Sequence, residues 1–327
     1  MDPDVRMGVD EKVRRRFKYQ QVFGWLIIIA IFIFLGKMVW ENLAQVKEAS
    51  FTLRLPSLIL ATLIYAFAYF IQIWAWYLIT LKLSIALPFW ETLENWFYSQ
   101  LGKYLPGKVW LPLGRFYFYQ SKGKSKKAIS VALYLETATI VIAAGFLFLI
   151  GLFLFEEVKS SYSNRQILWV MILFLLACLS LHPRVLQKTI NWILTRFRKE
   201  SLSLSIAYID ILLILLISIL SWVVGGIGFY IFVTSVFSIA STHILFVVGA
   251  LAFVSLLGLV AIFAPGGLGV REGVLVYLLS FVMAGSVAVV LSVLSRLWMT
   301  LIEIGLIGVI YLISVFRKRT ERKRLNV

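Results

Sequence analysis

The sequence predicts an all-α polytopic membrane protein, and three observations predict it: the composition, the mean hydropathy and the length of the apolar runs. Hydrophobic residues make up 61% of the 327 residues and charged residues 15%, whereas soluble proteins average about 45–50% apolar and about 25% charged residues. The mean hydropathy is +0.91. The apolar runs are of the length, about 20 residues, that a helix needs to cross a membrane. A soluble enzyme, a disordered chain and a disulfide-rich secreted module are therefore excluded.

Apolar runs predict the spanning helices in order along the chain. The runs that we interpret as complete spans, the fourth of them weaker than the rest, are 22–40, 57–81, 128–155, 166–181, 208–237 and 287–316. Two further apolar stretches, 243–264 and 273–284, flank a Pro-Gly-Gly sequence. Segment 82–127 breaks the pattern, because it mixes aromatic and charged residues around a second Pro-Gly pair.

The two Pro-Gly segments leave two architectures open. If 243–264 and 268–284 both cross, the protein has eight transmembrane helices. Alternatively, they form a re-entrant hairpin from outside and 89–120 forms another from the cytoplasm, which leaves six full transmembrane helices. The hairpin scheme gives each half the same element order in opposite orientation, an inverted repeat typical of transporters. Residues 273–284 are few for a span, although 243–264 is long for a half-helix. We favour six helices with two re-entrant Pro-Gly hairpins.

One membrane domain accounts for almost the whole chain. We expect an integral membrane domain at 21–316, between a basic N-terminus at 1–20 and a basic tail at 317–327. The possible repeats are 21–160 and 165–316.

Charge patterning predicts the orientation. Twenty-five Lys and Arg residues lie in the two termini and in segments 82–127 and 183–207, the latter a basic loop, against four in connections 41–56 and 156–166. Cytoplasmic connections are enriched in Lys and Arg. Both termini are therefore expected in the cytoplasm, with the protein in the cell (cytoplasmic) membrane.

The net charge of +16 follows the same rule and indicates anionic membrane lipids, not nucleic acid, as partners. A single cysteine, Cys178, and two histidines, His182 and His243, argue against a metal site. The glycines at 225–228 lie in the middle of a span, so they predict close helix packing and not a nucleotide loop. No cofactor is expected.

The Pro-Gly segments are the candidate headgroup-binding sites. Proline ends a helix, glycine lets the backbone turn, and the helix that restarts presents free N–H groups suited to an anion such as a lipid phosphate. The alternative is a surface turn whose basic residues touch headgroups. The candidate binding residues are Lys103, Pro106, Gly107, Lys108, Arg115, Gly266, Gly267, Arg271 and Arg296.

Ionisable residues within spans are a second signal, since each costs at least about 2.5–3.5 kcal/mol at the bilayer centre. Glu136, Glu272 and Glu303 are candidates for charge balance or proton coupling. In the alternative interpretation, Glu136 pairs with Arg271 or Arg296 and only fixes helix packing. No catalytic residue is assigned.

Two ordered signatures resemble those of the lysylphosphatidylglycerol synthase transmembrane-domain family, also called flippase-like membrane proteins. The first is QLGKYLPGK at 100–108, followed by Ser130-Val131 and Glu136; the second is PGGLGVRE at 265–272, followed by Arg296. The resemblance covers essentially the whole chain. It implies lipid translocation, because in the best-known members this region moves a phosphatidylglycerol that a soluble domain has aminoacylated. Some stand-alone relatives are linked to hopanoid or polyprenyl-linked sugar metabolism.

Two departures from the family matter. Thr137 and Ile140 stand where an Arg and an Asp often follow the first-signature glutamate, which puts any charge relay through them in doubt. Only eleven residues follow Phe316, so we expect no soluble synthase domain and no lysyl-lipid synthesis by this chain alone.

The predicted function is a flippase- or scramblase-like translocase for an anionic phospholipid or a lipid-linked (polyprenyl-phosphate type) headgroup. Without a nucleotide-binding motif, transport is passive or coupled to an ion gradient. The alternatives are a membrane-embedded transferase with Glu136 or Glu272 as base, and a scaffold subunit for a separate lipid-modifying enzyme.

Overall fold

A computed structural model describes residues 53–105, 109–155, 163–196, 206–261, 267 and 269–325, together with Ile33, Lys37 and Trp40. These residues form α-helices and short 3₁₀ turns joined by loops, with no strand among them. The predicted span at 22–40 lies outside this part of the chain apart from the three isolated residues, which are helical. The all-α class is confirmed.

The helices follow one another with short connections. In chain order they are α1 (Leu55–Lys82), α2 (Phe89–Gln100), α3 (Trp110–Ser121), α4 (Lys126–Leu154), α5 (Asn164–Ser180), α6 (Pro183–Arg196), α7 (Tyr208–Val236), α8 (Ile244–Val260), α9 (Val270–Leu279) and α10 (Gly285–Leu325). A 3₁₀ turn at Leu101–Tyr104 follows α2, and another at Ser241–His243 precedes α8.

Among the described residues, five helical segments are long and apolar enough to cross a membrane: Leu55–Lys82, Lys126–Leu154, Tyr208–Val236, Ser241–Val260 and Gly285–Arg317. Helix α5 is a shorter apolar helix. These lengths agree with a polytopic membrane protein. Part of the basic segment interpreted as a loop is instead helix α6, whose Arg184, Lys188 and Trp192 are exposed.

Local sequence signals account for several helix starts. Pro56 lies in the first turn of α1, where its missing N–H costs nothing. The Ser125 hydroxyl accepts a hydrogen bond from the Ala128 N–H at 3.5 Å and caps α4. Ser163 and Gln166 form a capping box at the start of α5, so the first N–H groups of both helices have acceptors.

Helices α1 and α7 pack antiparallel over their whole length. The Lys82 Nζ lies 2.8 Å from Asp210 Oδ1 at one end, and the Arg54 N–H donates to the Ser235 carbonyl at 2.9 Å at the other. Between them, a Cβ on Gly228 would lie 2.9 Å from the backbone nitrogen of Tyr65. Only glycine permits this approach, which confirms the predicted close packing of the glycines at 225–228.

Helices α4 and α8 are a second close antiparallel pair. A Cβ on Gly249 would lie 2.7 Å from the Leu147 carbonyl oxygen. The rings of Phe148 and Phe253 stack with centroids 3.8 Å apart. Small residues and stacked rings therefore hold the second Pro-Gly segment's leading helix against the first half of the chain.

Three of the four helices beside the Pro-Gly segments are short. Helices α2 and α3 have 12 residues each and α9 has 10, which correspond to about 18 Å and about 15 Å, well below the hydrocarbon thickness of about 30 Å. A Cβ on Gly102 would lie 2.5 Å from the Leu111 nitrogen, so the chain folds back tightly between α2 and α3.

The apolar core of the described residues forms two main clusters of buried side chains. One includes Phe229, Leu251 and Leu278 from α7, α8 and α9. The other gathers side chains of α1, α2 and α4, and Tyr69 packs against both clusters.

Candidate functional site

Arg271 is the second residue of α9, and its side chain lies in a slot made by two glycines. A Cβ on Gly258 would lie 2.5 Å from Arg271 Cδ, and one on Gly267 would lie 3.0 Å from the same atom. Gly267 also has a φ of +74°, a conformation that favours glycine. The Arg271 Nη2 donates to the Ser255 hydroxyl at 3.0 Å. The two glycines thus set the direction of the guanidinium.

The Arg271 side chain lines a cavity of about 230 Å³ between α1, α2, α4, α7, α8 and α9. The described residues that line it include no aspartate or glutamate. Its lining is instead aromatic and neutral polar and includes Tyr65, Tyr69, Gln72, Trp96, Gln100 and Ser255. Such a mixture of apolar walls with a few polar groups is typical of ligand sites.

Gln72 is the unexpected residue of this cavity. Its side chain is 9% exposed, and its Nε2 has no hydrogen-bond partner among the described residues. A buried amide without a partner is costly, so it marks a position where a ligand acceptor would fit. Sequence reasoning missed Gln72 because it considered only ionisable residues within spans; a polar amide inside 57–81 was the available signal.

Glu272 caps the N-terminus of α9 and links this helix to α10. Its Oε2 accepts the Gly269 N–H at 2.7 Å, and its Oε1 lies 3.7 Å from Arg296 Nε. A carboxylate at a helix N-terminus is stabilised by the free N–H groups and the helix dipole. Arg296 is therefore held by a carboxylate next to the second Pro-Gly segment.

Glu303, seven residues further along α10, makes the corresponding link to the first Pro-Gly segment. It is 2% exposed, pairs with Lys103 Nζ, and accepts the Tyr104 hydroxyl at 3.3 Å. Its Oε1 has no hydrogen-bond partner among the described residues. One helix, α10, thus contacts residues beside both Pro-Gly segments.

The charges of this ionic cluster do not cancel. Lys103 interacts electrostatically with Arg271 and Arg296, so three cations share two carboxylates, Glu272 and Glu303. Among the described residues no carboxylate lies within ion-pair distance of Arg271. The excess positive charge therefore sits at the cavity.

Arg115 belongs to a separate centre. Its Nε donates to the Ser99 hydroxyl at 2.8 Å and its Nη1 pairs with Glu136, while its guanidinium carbon lies 5.0 Å from the ring centroid of Trp96 and 5.1 Å from that of Trp76. The Trp96 Nε1 also donates to Glu136 Oε1 at 3.0 Å. The pairing of Glu136 with Arg271 or Arg296 is thus wrong, because packing of α3 on α4 brings Arg115 to it instead.

The structure therefore divides the predicted site residues into groups. Lys103, Gly267, Arg271, Arg296, Glu272 and Glu303 meet in one region, and Arg115 with Glu136 in another. Arg115 does not line the cavity. Pro106, Gly107, Lys108 and Gly266 lie outside the described residues.

An all-helical membrane protein with a buried, net-positive ionic cluster is the class that this fold and site define. Residues 22–308 match the family model described as the lysylphosphatidylglycerol synthase TM region. The chain belongs to this family, which links it to membrane lipids, and the predicted family resemblance is confirmed. None of the curated proteins matches the chain.

Proposed function

We propose that the protein is a flippase- or scramblase-like translocase that accepts an anionic phospholipid or a polyprenyl-phosphate-type headgroup, in the cell membrane with both termini cytoplasmic. The observation that carries this proposal is the Arg271 guanidinium, which faces a cavity and has the Ser255 hydroxyl as its hydrogen-bond partner. A phosphate is the counter-ion that fits it.

The buried charge of Arg271 is energetically costly without a counter-charge. Isolated ions are strongly disfavoured in low-dielectric surroundings, and among the described residues no carboxylate lies within ion-pair distance of Arg271. A phosphodiester carries one negative charge and oxygens that match the planar guanidinium. Binding of one such headgroup would balance the excess charge of the cluster.

The partners of the other cations suggest their roles. Lys103 and Arg296 pair with Glu303 and Glu272, respectively. Their proposed roles are to hold the two Pro-Gly segments against α10 and to add to the positive electrostatic potential at the cavity. Glu272 and Glu303 balance this charge. Glu303, with one oxygen unpartnered among the described residues, is our candidate for proton coupling if transport is driven. We assign Arg115 and Glu136 to packing.

The short helix α9 favours the six-span scheme with hairpins, whereas Ser241–Val260 is long enough to cross by itself. The Arg317 guanidinium carbon lies 4.9 Å from the Trp90 ring centroid, so the end of the apolar part of α10 lies beside the start of α2. Five residues, 280–284, join α9 to the opposite end of α10. With 10 residues, α9 extends only about 15 Å from that end. The Pro-Gly tip before it is then expected near mid-membrane.

A cysteine-labelling experiment tests this architecture. Cys178 is replaced by Ala, and Gly273→Cys is introduced, where an added Cβ has no neighbouring atom within 4 Å. In the hairpin scheme this position lies in the outer half, so an impermeant reagent should not label it from the cytoplasmic face. Lys124→Cys is the cytoplasmic control and Ser280→Cys the external one. Cytoplasmic labelling of the cysteine at 273 would contradict the scheme.

A reconstitution experiment tests the function. Purified protein in vesicles should move fluorescent phosphatidylglycerol between leaflets, and Arg271→Gln should reduce the rate at least about tenfold, since a desolvated charge contact is lost. Arg317 is an exposed residue of α10 that does not line the cavity, so Arg317→Gln should retain the rate. No movement above protein-free vesicles would overturn the proposal, and headgroup transfer by the purified protein would instead support a transferase.

A further inference from the structure

We propose that the Arg271 cavity selects a headgroup whose only charge is its phosphodiester and whose remainder is an uncharged polyol, with Gln72 as the residue that recognises the polyol. This inference rests on the proposed function and narrows it. An aminoacylated or other amine-bearing headgroup is excluded by the same cavity.

The exclusion of amines follows from the charges around the cavity. Its described lining contains one cation, Arg271, and no carboxylate. Each carboxylate of the neighbouring cluster already faces a cation, Glu272 with Arg296 and Glu303 with Lys103. An ammonium group in this cavity would lose its hydration without gaining a counter-charge, and it would be repelled by Arg271.

The preference for a polyol follows from the neutral polar groups. Gln72 has an unpartnered, buried Nε2, and Gln100 is likewise buried on the adjoining helix α2. Tyr65, Tyr69 and Gln72 are spaced four and three residues apart, so they share one face of α1. Hydroxyl groups both donate and accept hydrogen bonds. A polyol can therefore accept from the Gln72 Nε2 and also donate to amide and phenol oxygens, whereas a phosphodiester can only accept.

Aromatic side chains line the cavity beside these polar groups. The ring centroids of Tyr65 and Tyr69 lie 5.7 Å apart, and those of Tyr69 and Trp96 lie 5.9 Å apart. They give the cavity a continuous aromatic wall next to its amides. Such a wall packs against the C–H groups of a polyol while leaving its hydroxyls to the polar side chains. Arg271 binds the phosphate, and Gln72 lies where the remainder of the headgroup would extend.

The test is a binding comparison on the purified full-length protein in detergent. Four probes are used: short-chain phosphatidylglycerol, phosphatidylmethanol (the same monoanionic phosphodiester without the polyol), lysyl-phosphatidylglycerol and water-soluble glycerophosphoglycerol. Phosphatidylglycerol should bind about 3- to 10-fold more tightly than phosphatidylmethanol, the effect of one net hydrogen bond. Lysyl-phosphatidylglycerol should bind more weakly than either, by at least about tenfold, and glycerophosphoglycerol should bind more weakly than the lipid.

Variants assign the selectivity to its residue. Gln72→Leu should abolish the difference between phosphatidylglycerol and phosphatidylmethanol while leaving phosphatidylmethanol binding unchanged. Gln120→Leu, a glutamine of α3 that does not line the cavity, should leave all four affinities unchanged. The comparison of probes on the unsubstituted protein does not depend on how any variant folds.

The outcomes separate the two proposals. If phosphatidylglycerol binding depends on Arg271 but lysyl-phosphatidylglycerol binds equally well, the polyol inference fails and the proposed function stands. The polyol inference also fails, and the proposed function stands, if Gln72→Leu weakens the binding of phosphatidylglycerol and of phosphatidylmethanol by the same factor. If no lipid binds, or Arg271→Gln changes nothing, the proposed function fails too. Equal binding of glycerophosphoglycerol would assign the site to a soluble phosphate ester and overturn the lipid assignment.

Discussion

Arg115 and Arg271 each follow a Pro-Gly segment, yet their surroundings are opposite. Arg115 is 1% exposed and has a carboxylate, a hydroxyl and two indole rings around its guanidinium. Arg271 has one hydroxyl partner and an open cavity. Similar sequence positions thus hold a closed ion pair in one half of the chain and an arginine facing space in the other.

This difference explains how one protein can hold two buried arginines for different purposes. A buried ion pair that is fully hydrogen-bonded fixes the packing of the helices that supply it. An arginine without a carboxylate is costly unless something else neutralises it. We therefore assign the Arg115 centre to stability and the Arg271 centre to ligand binding, and substitutions should separate the two properties.

The largest expected effect is on stability at the closed centre. Arg115→Leu leaves Glu136 buried without its cation, which should lower the free energy of unfolding by about 3–5 kcal/mol. Arg271→Leu should lower it much less, because it removes an unbalanced charge. Unfolding in mixed detergent micelles measures both.

The double substitution Arg115→Leu/Glu136→Leu is the control for that prediction. It removes both charges, so it should recover much of the loss. Equal destabilisation by Arg115→Leu and Arg271→Leu would contradict the comparison, because both arginines would then serve packing.

The next largest effect concerns Trp96, which belongs to both centres. Its ring lines the cavity, and its Nε1 donates to Glu136 Oε1. Trp96→Phe keeps an aromatic wall but removes a hydrogen bond to a charged group, so the free energy of unfolding should fall by about 1.5–3 kcal/mol. The lipid transport rate should stay within about twofold of the unsubstituted protein, since an effect confined to packing leaves Arg271 in place.

Trp74→Phe offers a matched control, because this tryptophan is exposed on α1. It should change neither property. If Trp96→Phe instead abolished transport and left stability intact, the division between the two centres would be wrong.

Much of the fold was predictable because long apolar runs leave few alternatives. The predicted runs 57–81, 128–155 and 208–237 end within two residues of Leu55–Lys82, Lys126–Leu154 and Tyr208–Val236. Helix Pro183–Arg196 was not predicted as a helix, because its frequent charges made the segment look like a basic loop. Hydropathy alone identifies membrane-spanning helices more reliably than it identifies amphipathic helices.

The site was predictable only in part. Ionisable residues in apolar runs are few, so Arg271, Arg296, Glu136 and Glu303 stood out in the sequence. Their pairing did not, since the Arg115–Glu136 contact depends on how α3 packs against α4 and no local spacing encodes it. Gln72 escaped notice because a neutral amide changes hydropathy less than a charge does.

The smallest expected effect, and the most specific, comes from the slot around Arg271. Gly258→Ala would place a methyl group 2.5 Å from Arg271 Cδ, which forces the guanidinium away from Ser255 and the cavity. Phosphatidylglycerol binding should weaken about tenfold, or about 1.4 kcal/mol. The closed centre is unaffected, so the temperature of unfolding should change little.

Gly273→Ala is the control for the slot, because its added methyl meets no atom within 4 Å and alanine favours the helix. It should leave binding unchanged and stability equal or higher. If Gly258→Ala bound phosphatidylglycerol as tightly as Gly273→Ala, the position of the Arg271 side chain would be irrelevant to the ligand. The open centre would then be a second packing contact, like the one around Arg115.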